Sequence, residues 1–368
     1  MALGWLACSS FGPPDMLSRR LLVAAAGGGS FTVYGPIVEV GTRNGFMTGT
    51  GYKSFPGMAL DTINHTARLH LVYRSGGAHN SNDAVLAYKY SDDEGATWSD
   101  PGTAQILITP SAGDDIRDPF IIVSSTGRVV IGYDYMTPWN GSPATFTVRI
   151  IYSDNGGASW SSPYTIPDTA AGNEVAGTSQ PIQLNDGTLV IFGNVNDTAG
   201  GVLYSVLWKS TDDGATWGTQ TDVAKNIAVR EYAEPQARLL ANGTIVCLLR
   251  SDNNQHTWRT VSSDDGATWS SPTDVLVASS RPDFVEYRAG RIVLFGRNNN
   301  SQFYARWTTS EDGGLTWAAL QNVAGSTDLF MYGAPVVLDP GRVGIVYSLE
   351  NSGSDADLYY ALWSDTGA

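Results

Sequence analysis

The sequence predicts an all-β fold, a six-bladed β-propeller of four-stranded antiparallel blades. First, 41 glycines and 17 prolines are spread along 368 residues, so turns are frequent and long helices are not expected. Second, an eight-residue repeat, Ser-x-Asp-x-Gly-x-Thr-Trp, begins at Ser91, Ser153, Ser210, Ser262 and Ser310. Copies recur at intervals of roughly 50 to 60 residues, the length of one four-stranded blade with its loops.

The third observation is a pair of apolar segments that occurs six times and so predicts six blades. In chain order these pairs are FPGMAL with RLHLVYR, DPFIIV with RVVIGYD, QPIQL with TLVIFGN, EPQARLL with TIVCLLR, RPDFVEY with RIVLFGR, and APVVL with RVGIVYS. Within the repeat, an Asp or Asn side chain can accept backbone hydrogen bonds across a tight turn, glycine supplies a positive φ, and the tryptophan packs between sheets. The repeat is therefore expected to be structural.

The last blade lacks a fourth strand of its own, because the chain ends at SDTGA, the opening of a sixth repeat. The segment YGPIVEV, Tyr34 to Val40, resembles the fourth strands that follow the other repeats. We therefore expect this N-terminal strand to complete the last blade and close the ring, which protects the sheet edges. The predicted organisation is an N-terminal arm, residues 1–32, and a propeller, residues 33–368.

Composition restricts the ligands. A formal net charge of −14 argues against binding nucleic acid or an anionic membrane surface. Among the basic residues 18 are Arg and 4 are Lys, which favours carboxylate recognition or reflects a GC-rich genome. No apolar run is long enough to span a bilayer, and the segment Leu17 to Ser30 is too short in its apolar part to predict a cleaved signal peptide. The two cysteines, Cys8 and Cys247, give no disulfide framework or metal-ligand spacing, so no cofactor is expected.

The five repeats resemble the Asp-boxes of the sialidase (neuraminidase) superfamily, also called BNR repeats, whose members are six-bladed propellers. The resemblance covers residues 33–368. It implies that the starts of first strands and the ends of second strands meet at one mouth of the central channel, opposite the repeats. Asp-boxes also occur in other glycosidases, in lyases and in non-enzymatic propellers, so the repeat predicts the fold more strongly than the function.

The expected mouth combines many polar side chains, including several arginines that could hold an anionic ligand in this acidic protein. The residues at these positions are Ser54, Arg74, Arg117, Asp118, Asp134, Tyr135, Gln180, Asn194, Glu234, Arg250, Arg281, Asp283, Arg297, Tyr332 and Glu350.

The resemblance implies a tyrosine nucleophile paired with a glutamate, an aspartate acid/base and three arginines on the sugar carboxylate. Tyr332 matches the nucleophile, Glu234 and Arg250 match the glutamate and second arginine, and Asp83 matches the acid/base. Three other readings stay open: a Glu234–Arg250 ion pair at the rim, an ordinary rim tyrosine, and a solvated loop aspartate. Substrate-binding roles are further expected for Arg297, Arg281, Arg117, Asp118, Arg74 and Glu350.

Two departures affect the arginine triad. Ser54 and Phe55 stand where the family has Arg-Ile, and Gln302 stands where the third arginine is expected, so Arg297 or Arg281 would have to substitute. Ser348 replaces a family glutamate, with Glu350 two residues on. Two histidines in mouth-side loops, His79 and His256, are interpreted as surface residues.

The sequence thus predicts a retaining, sialidase-like glycosidase acting on terminal sialic acid or a related acidic sugar. Two alternatives remain. One is a lyase or hydrolase for another acidic sugar. The other is a non-enzymatic glycan- or receptor-binding propeller of a phage tail or other surface assembly, with the N-terminal arm contacting the assembly partner. In each case the partner is a glycan, and the expected location is extracellular or on a cell or virion surface.

Overall fold

The structure is a computed structural model, and it describes most of the chain from residue 51 onward together with two short N-terminal segments. The described residues are 21–24, 29–36, 51–99, 104–139, 145–167, 174–176, 179–197, 202–225, 231–251, 256–277, 280–297, 305–322, 329–352 and 355–365. Over these ranges the secondary structure is strand and turn without helix, so the all-β prediction is confirmed. None of the described segments is a helix able to cross a membrane.

The strands form five hydrogen-bonded sheets, the largest of which joins strands from both ends of the chain, and we divide them by their antiparallel pairing into units one to six. Unit one contains β3 (Tyr52–Asp61), β4 (Arg68–Gly76), β5 (Val85–Ser91) and β6 (Gln105–Ile108). Unit two contains β7 (Asp115–Val123), β8 (Val129–Thr137), β9 (Thr145–Ser153) and β10 (Tyr164–Thr165). Unit three contains β11 (Glu174–Ala176), β12 (Ile182–Gln183), β13 (Leu189–Asp197), β14 (Val202–Ser210) and β15 (Thr221–Ala224), with β11 and β12 both paired to β13.

The remaining units follow the same order. Unit four contains β16 (Ala233–Leu239), β17 (Ile245–Arg250), β18 (Thr257–Ser262) and β19 (Thr273–Asp274). Unit five contains β20 (Ser280–Arg288), β21 (Arg291–Arg297), β22 (Ala305–Ser310) and β23 (Gln321–Asn322). Unit six contains β24 (Leu329–Asp339), β25 (Arg342–Ser352) and β26 (Asp355–Asp365).

An N-terminal strand pairs with the last strand of the chain. This strand is β2 (Gly29–Pro36), which lies antiparallel to β26 with Phe31 opposite Trp363, and β1 (Leu21–Ala24) pairs with its outer edge. The strand predicted at residues 34–40 therefore begins earlier and spans the expected boundary at residue 32. Residues 37–40 lie outside the described part of the chain. A single parallel bridge, Ala356 to Tyr52, also joins β26 to unit one.

The apolar core is divided into clusters between units rather than gathered at one centre. Each of six clusters draws its buried residues from two neighbouring units, and one of them joins unit six to unit one through Tyr360 and Met58. Trp208 and Trp363 are fully buried in such clusters. First strands or their N-terminal extensions from all six units line a cavity of about 350 Å³. One residue from each unit shows this arrangement: Met58, Ile121, Gln180, Arg238, Val285 and Val336.

The eight-residue repeats close the turn between the third and fourth strands of units one to five. In the first copy, Ser91 Oγ donates to Asp93 at 2.8 Å and accepts from the Gly95 N–H at 2.8 Å. Thr97 donates to the same carboxylate through its N–H and its hydroxyl, at 2.8 and 2.6 Å. The same bonds recur in the third, fourth and fifth copies. In the second copy Asn155 replaces the aspartate, and its Nδ2 donates to Ser159 Oγ at 2.9 Å, while the other bonds are kept.

Glycine is required in the repeat for two reasons. Gly95 has φ +87°, and a Cβ there would lie 2.4 Å from the ring of Tyr360 in unit six. The tryptophan of the same copy, Trp98, meets that tyrosine edge to face at 5.9 Å between ring centroids. Each repeat thus stabilises its own turn and packs against the neighbouring unit, as predicted.

Candidate active site

Three residues, two of which are the expected site residues Asp118 and Glu234, occupy equivalent backbone positions near the start of a first strand. Phe55, Asp118 and Glu234 each precede a proline and have φ values of 55°, 40° and 45°. The strand register shifts at each of these positions, as it does in a β-bulge. Positive φ is unfavourable for a residue with a Cβ, and bulges re-aim side chains beside functional sites. The repeated X-Pro bulge therefore places these residues at the same end of units one, two and four.

Glu234 and Arg250 form the predicted pair. Arg250 Nη1 donates to Glu234 Oε1 at 2.8 Å, across the paired strands β16 and β17. The Glu234 N–H donates to Asn194 Oδ1 at 3.1 Å, which ties the bulge to unit three. Both charged side chains are partly exposed, at 26% for Arg250 and 18% for Glu234. The contact itself suits a catalytic role and a structural ion pair equally.

Tyr332 lies in a cluster built from three units. Its side chain is buried, with the Phe55 ring 4.4 Å away and the His79 ring 6.3 Å away between centroids. The guanidinium carbon of Arg297 lies 5.8 Å from the Tyr332 ring centroid. The structure thus brings together the expected nucleophile and one expected carboxylate-binding arginine.

His79 is only partly exposed and packs within this cluster, so its interpretation as an ordinary surface histidine is corrected. Its Nδ1 is 2.9 Å from the Tyr52 hydroxyl, and its ring lies 5.3 Å from that of Phe55. Burial lowers the pKa of His79, and the positive charges of Arg117, Arg74 and Arg297 lower it further against the opposing effect of Asp118. The imidazole is therefore neutral near pH 7. The sequence predicted that His79 lies in a loop, but it did not predict the loop conformation that packs the ring against Phe55 and Tyr332.

Arg74 occupies a structural position rather than the expected substrate-binding one. Its guanidinium is fully buried and bonded to Asp115 through Nε and Nη2, at 3.0 and 2.9 Å. Nη1 donates to the Ala78 carbonyl at 2.7 Å, and Nη2 donates to Ser81 Oγ at 3.0 Å. These bonds use every nitrogen of the guanidinium, so Arg74 anchors the loop that carries His79 and is not available to a ligand.

Arg117 contacts the same buried carboxylate, since its Nε donates to Asp115 Oδ2 at 3.2 Å. Its side chain is 16% exposed, which leaves part of it accessible at the mouth. This bond of Arg117 is therefore made to Asp115 rather than to its neighbour Asp118.

Asp83, the expected acid/base, closes its own loop by accepting the Gly77 N–H at 2.8 Å. Burial raises the pKa of Asp83, but hydrogen bonds from Ser81 and Gly77 outweigh it and lower the pKa overall. A general acid must hold a proton at the working pH, so this loop arrangement favours a structural role for the carboxylate.

The two serines that depart from the family pattern contact each other. Ser54 and Ser348 are both fully buried, with their hydroxyl oxygens 3.3 Å apart across units one and six. A missing arginine and a missing glutamate are thus replaced at one place by a neutral hydrogen-bonded pair. With Phe55 beside them, this side of the mouth is small and aromatic rather than cationic.

The other expected mouth residues are divided between contacts that support neighbouring sheets and positions the structure does not describe. Asp283 accepts from Arg238 at 2.8 Å, and the Tyr135 hydroxyl donates to Asp114 at 2.7 Å. Asp134 is buried, and Gln180 accepts from the Ile121 N–H at 3.4 Å. The backbones of Arg281 and Glu350 lie in β20 and β25, but their side chains, and the whole of Gln302, lie outside the described part of the structure. His256 is 3.0 Å from Asp274.

Comparison with known proteins identifies a family and related structures that are similar to this chain. Residues 67–302 match the model of the BNR repeat-like domain. A sialidase of Paraclostridium sordellii is 23% identical over 219 residues, which are 53% of this chain and 52% of that protein. The chain therefore aligns with about half the length of this relative.

Solved structures agree on the fold. A Dyadobacter fermentans protein of unknown function superposes with a TM-score of 0.73 at 16% identity, covering 87% of this chain and 96% of that one. A Hadza microbial sialidase gives a TM-score of 0.69 at 18% identity, covering 84% and 65%. The family match extends over more than half of the chain and includes four of the five repeats. The chain therefore belongs to the BNR repeat-like family of the sialidase superfamily.

Proposed function

We propose that the six units form a closed six-bladed propeller and that the eight-residue repeats are its Asp-boxes. Three observations support the ring: the apolar cluster between units six and one, the pairing of β2 with β26, and the cavity lined from all six units. The repeats lie at the third-to-fourth strand turns, the position expected for Asp-boxes. In such a ring the X-Pro bulges face one mouth.

We further propose that the protein is a retaining, sialidase-like glycoside hydrolase acting on terminal sialic acid or a related acidic sugar. The observation that carries this proposal is the cluster of Tyr332, Arg297 and His79, drawn from three units to one place. A buried phenol beside a guanidinium suits a nucleophile that must approach an anomeric carbon next to a carboxylate, because the phenol itself carries no charge.

In this mechanism Tyr332 Oη bonds to the anomeric carbon as its proton passes to Glu234, and the glycosidic C–O bond breaks as the acid/base residue protonates the leaving oxygen. Water, deprotonated by the acid/base residue, then attacks the anomeric carbon and releases the sugar, and Tyr332 Oη recovers its proton from Glu234. Arg250 orients the Glu234 carboxylate through their 2.8 Å bond and, with Arg297, faces the carboxylate of the sugar. Asp83 is the acid/base that the resemblance implies. His79 is a second candidate for the base step that activates water, because its neutral imidazole packs against Tyr332 while the Asp83 carboxylate bonds within its own loop.

A second candidate function is a lyase or hydrolase for another acidic sugar. The buried pair of Ser54 and Ser348 favours it, since the place of the family's first arginine is neutral here. A carboxylate held by fewer arginines can belong to a sugar of different shape, such as a uronic acid. Mass analysis of the products separates these functions, because a lyase leaves an unsaturated uronic end and a hydrolase releases a saturated sugar.

The test is turnover of aryl sialosides and a panel of acidic glycans by the purified protein. We expect Tyr332→Phe to lower kcat on the order of 10³-fold or more while leaving Tm unchanged. Tyr287→Phe is the matched control, because Tyr287 is buried against Trp363 in the core between units five and six. Asp83→Asn and His79→Asn, compared across pH, identify the acid/base.

Failure to release any product, or full activity in Tyr332→Phe, would refute the enzymatic proposal. Glycan binding without turnover would instead support a receptor-binding propeller.

A further inference from the structure

Unit one turns differently from the other five units in the hairpin between its first two strands. The turns of the other units each contain a glycine with positive φ: Gly127, Gly187, Gly243, Gly290 and Gly341. The turn of unit one lacks glycine and reads DTINHTAR, from Asp61 to Arg68. It carries His65, and His70 follows on β4, so two of the chain's 4 histidines lie here.

Three side chains converge at this turn with the spacing of metal ligands. Asp61 Oδ2 lies 2.8 Å from His65 Nδ1 and 3.4 Å from His70 Nε2. All three ligand atoms lie within 4.8 Å of one another. Bonds of about 2.0–2.1 Å to a tetrahedral Zn²⁺ place its ligand atoms about 3.3 Å apart. The two measured distances from Asp61 Oδ2 to the histidine nitrogens therefore need to change by only a few tenths of an ångström.

Neighbouring groups hold these three side chains in orientations suited to metal binding. His70 is fully buried, so the packing around its ring fixes the direction of its nitrogens. Its other nitrogen, Nδ1, lies 2.6 Å from the Tyr88 hydroxyl, the kind of outer partner that orients a metal-binding histidine. The buried Asp61 carboxylate accepts backbone N–H groups of Ile63 and Asn64 on Oδ1, both at 2.9 Å, which fixes the direction of Oδ2.

We propose that Asp61, His65 and His70 bind one divalent cation of the zinc class. Two imidazoles and one carboxylate are borderline ligands suited to Zn²⁺, and they leave a fourth coordination position. The His65 side chain is 25% exposed, so solvent can reach that position. The ion stabilises the junction between units one and two, because the same turn bonds the Gly127 carbonyl through Asn64 Nδ2 at 2.7 Å. This site is separate from the candidate active site and does not depend on the proposed function.

The experiment is calorimetric titration of the full-length, chelator-treated protein with ZnCl₂. We expect one equivalent of Zn²⁺ to bind, and a tetrahedral d–d absorption when Co²⁺ replaces it. At a Zn²⁺ concentration 100 times Kd, Tm should rise by about 4 °C. His65→Ala should weaken binding by at least the 10–100-fold that loss of an outer partner typically costs.

His65 is the residue to change, because it lies near the surface, whereas Asp61 and His70 are buried and their loss endangers folding. His65→Cys keeps a zinc ligand and should retain binding. His256→Ala removes a histidine from a different unit and is the matched control for nonspecific binding. The proposal is overturned if the wild type takes up no stoichiometric Zn²⁺, or if His65→Ala binds as tightly as the wild type. In either case the three groups form only a hydrogen-bonded network.

Discussion

Replacing Arg74 by methionine tests how much the loop over the mouth depends on one buried ion pair. The substitution keeps an unbranched apolar stem of similar length and removes the guanidinium, which bonds Asp115, Ala78 and Ser81. Asp115 would stay fully buried with the Ile116 N–H and Arg117 Nε as bonded partners. Removing one partner of a buried ion pair lowers the free energy of unfolding by about 3–5 kcal/mol. Because Asp115 keeps two bonded partners, we expect a loss at the lower end, about 3 kcal/mol.

For a chain of this length, about 2.1 cal/mol/K per residue gives an unfolding entropy near 0.8 kcal/mol/K, so Tm should fall by about 4 °C. The assay is urea and thermal unfolding followed by the fluorescence of the 11 tryptophans. Arg128→Met is the control, because Arg128 pairs with an exposed carboxylate, Asp154, and should cost about 0–1 kcal/mol.

A double substitution completes the test of this ion pair. Arg74→Met combined with Asp115→Leu removes both buried charges, so it should recover much of the lost stability. The reasoning fails if Arg74→Met lies within about 1 kcal/mol of the wild type, or if the double variant is less stable than the single one.

Two further predictions concern close packing and pH. Gly132→Ala should destabilise the protein by about 1–3 kcal/mol, because its Cβ would lie 1.9 Å from Phe120 Cζ. Gly218→Ala, with its nearest atom at 3.6 Å, should change the urea midpoint little, and equal effects of the two would contradict the packing argument. Hydrogen bonds from Thr268 lower the pKa of Asp264 to about 2. Its stabilisation is therefore present above the unfolded pKa of about 3.9 and is lost as pH falls toward 2. Asp264→Asn should flatten the decline of Tm over this range, and an unchanged slope would exclude the contribution.

The repeat predicted much of the fold because its residues serve local turns and contacts that recur in each unit. Gly95 and Trp98 illustrate this, since their roles follow from a short sequence and its spacing. The pairing of Glu234 with Arg250 was also predictable, because adjacent strands of one unit bring them together.

The pairing of strands from the two ends of the chain was predictable from the repeat, but side-chain contacts between distant parts of the chain were not. The sequence identified Ser54 and Ser348 as separate departures, and only the packing of units one and six shows that they meet. For a similar reason, Arg74 was expected to bind substrate but has a structural role, and His79 was expected at the surface but packs against Tyr332. The conformation of the loop between β4 and β5 determines which of them is buried beneath it and which faces Tyr332. The cluster of Asp61, His65 and His70 was not predictable, because the fold of a hairpin brings these residues together and their spacing in the sequence matches no common metal-binding motif.

The pairing of β2 with β26 also sets the order in which the protein can be completed during translation. The partner strand of β2 is synthesised more than 300 residues after β2 itself. At synthesis rates of about 5–20 residues per second, that interval lasts roughly 15–60 s. Throughout it, β2 and the last-made sheet are exposed strand edges that other nascent chains can pair with. A slower ribosome therefore lengthens the period in which these unpaired strand edges can lead to aggregation.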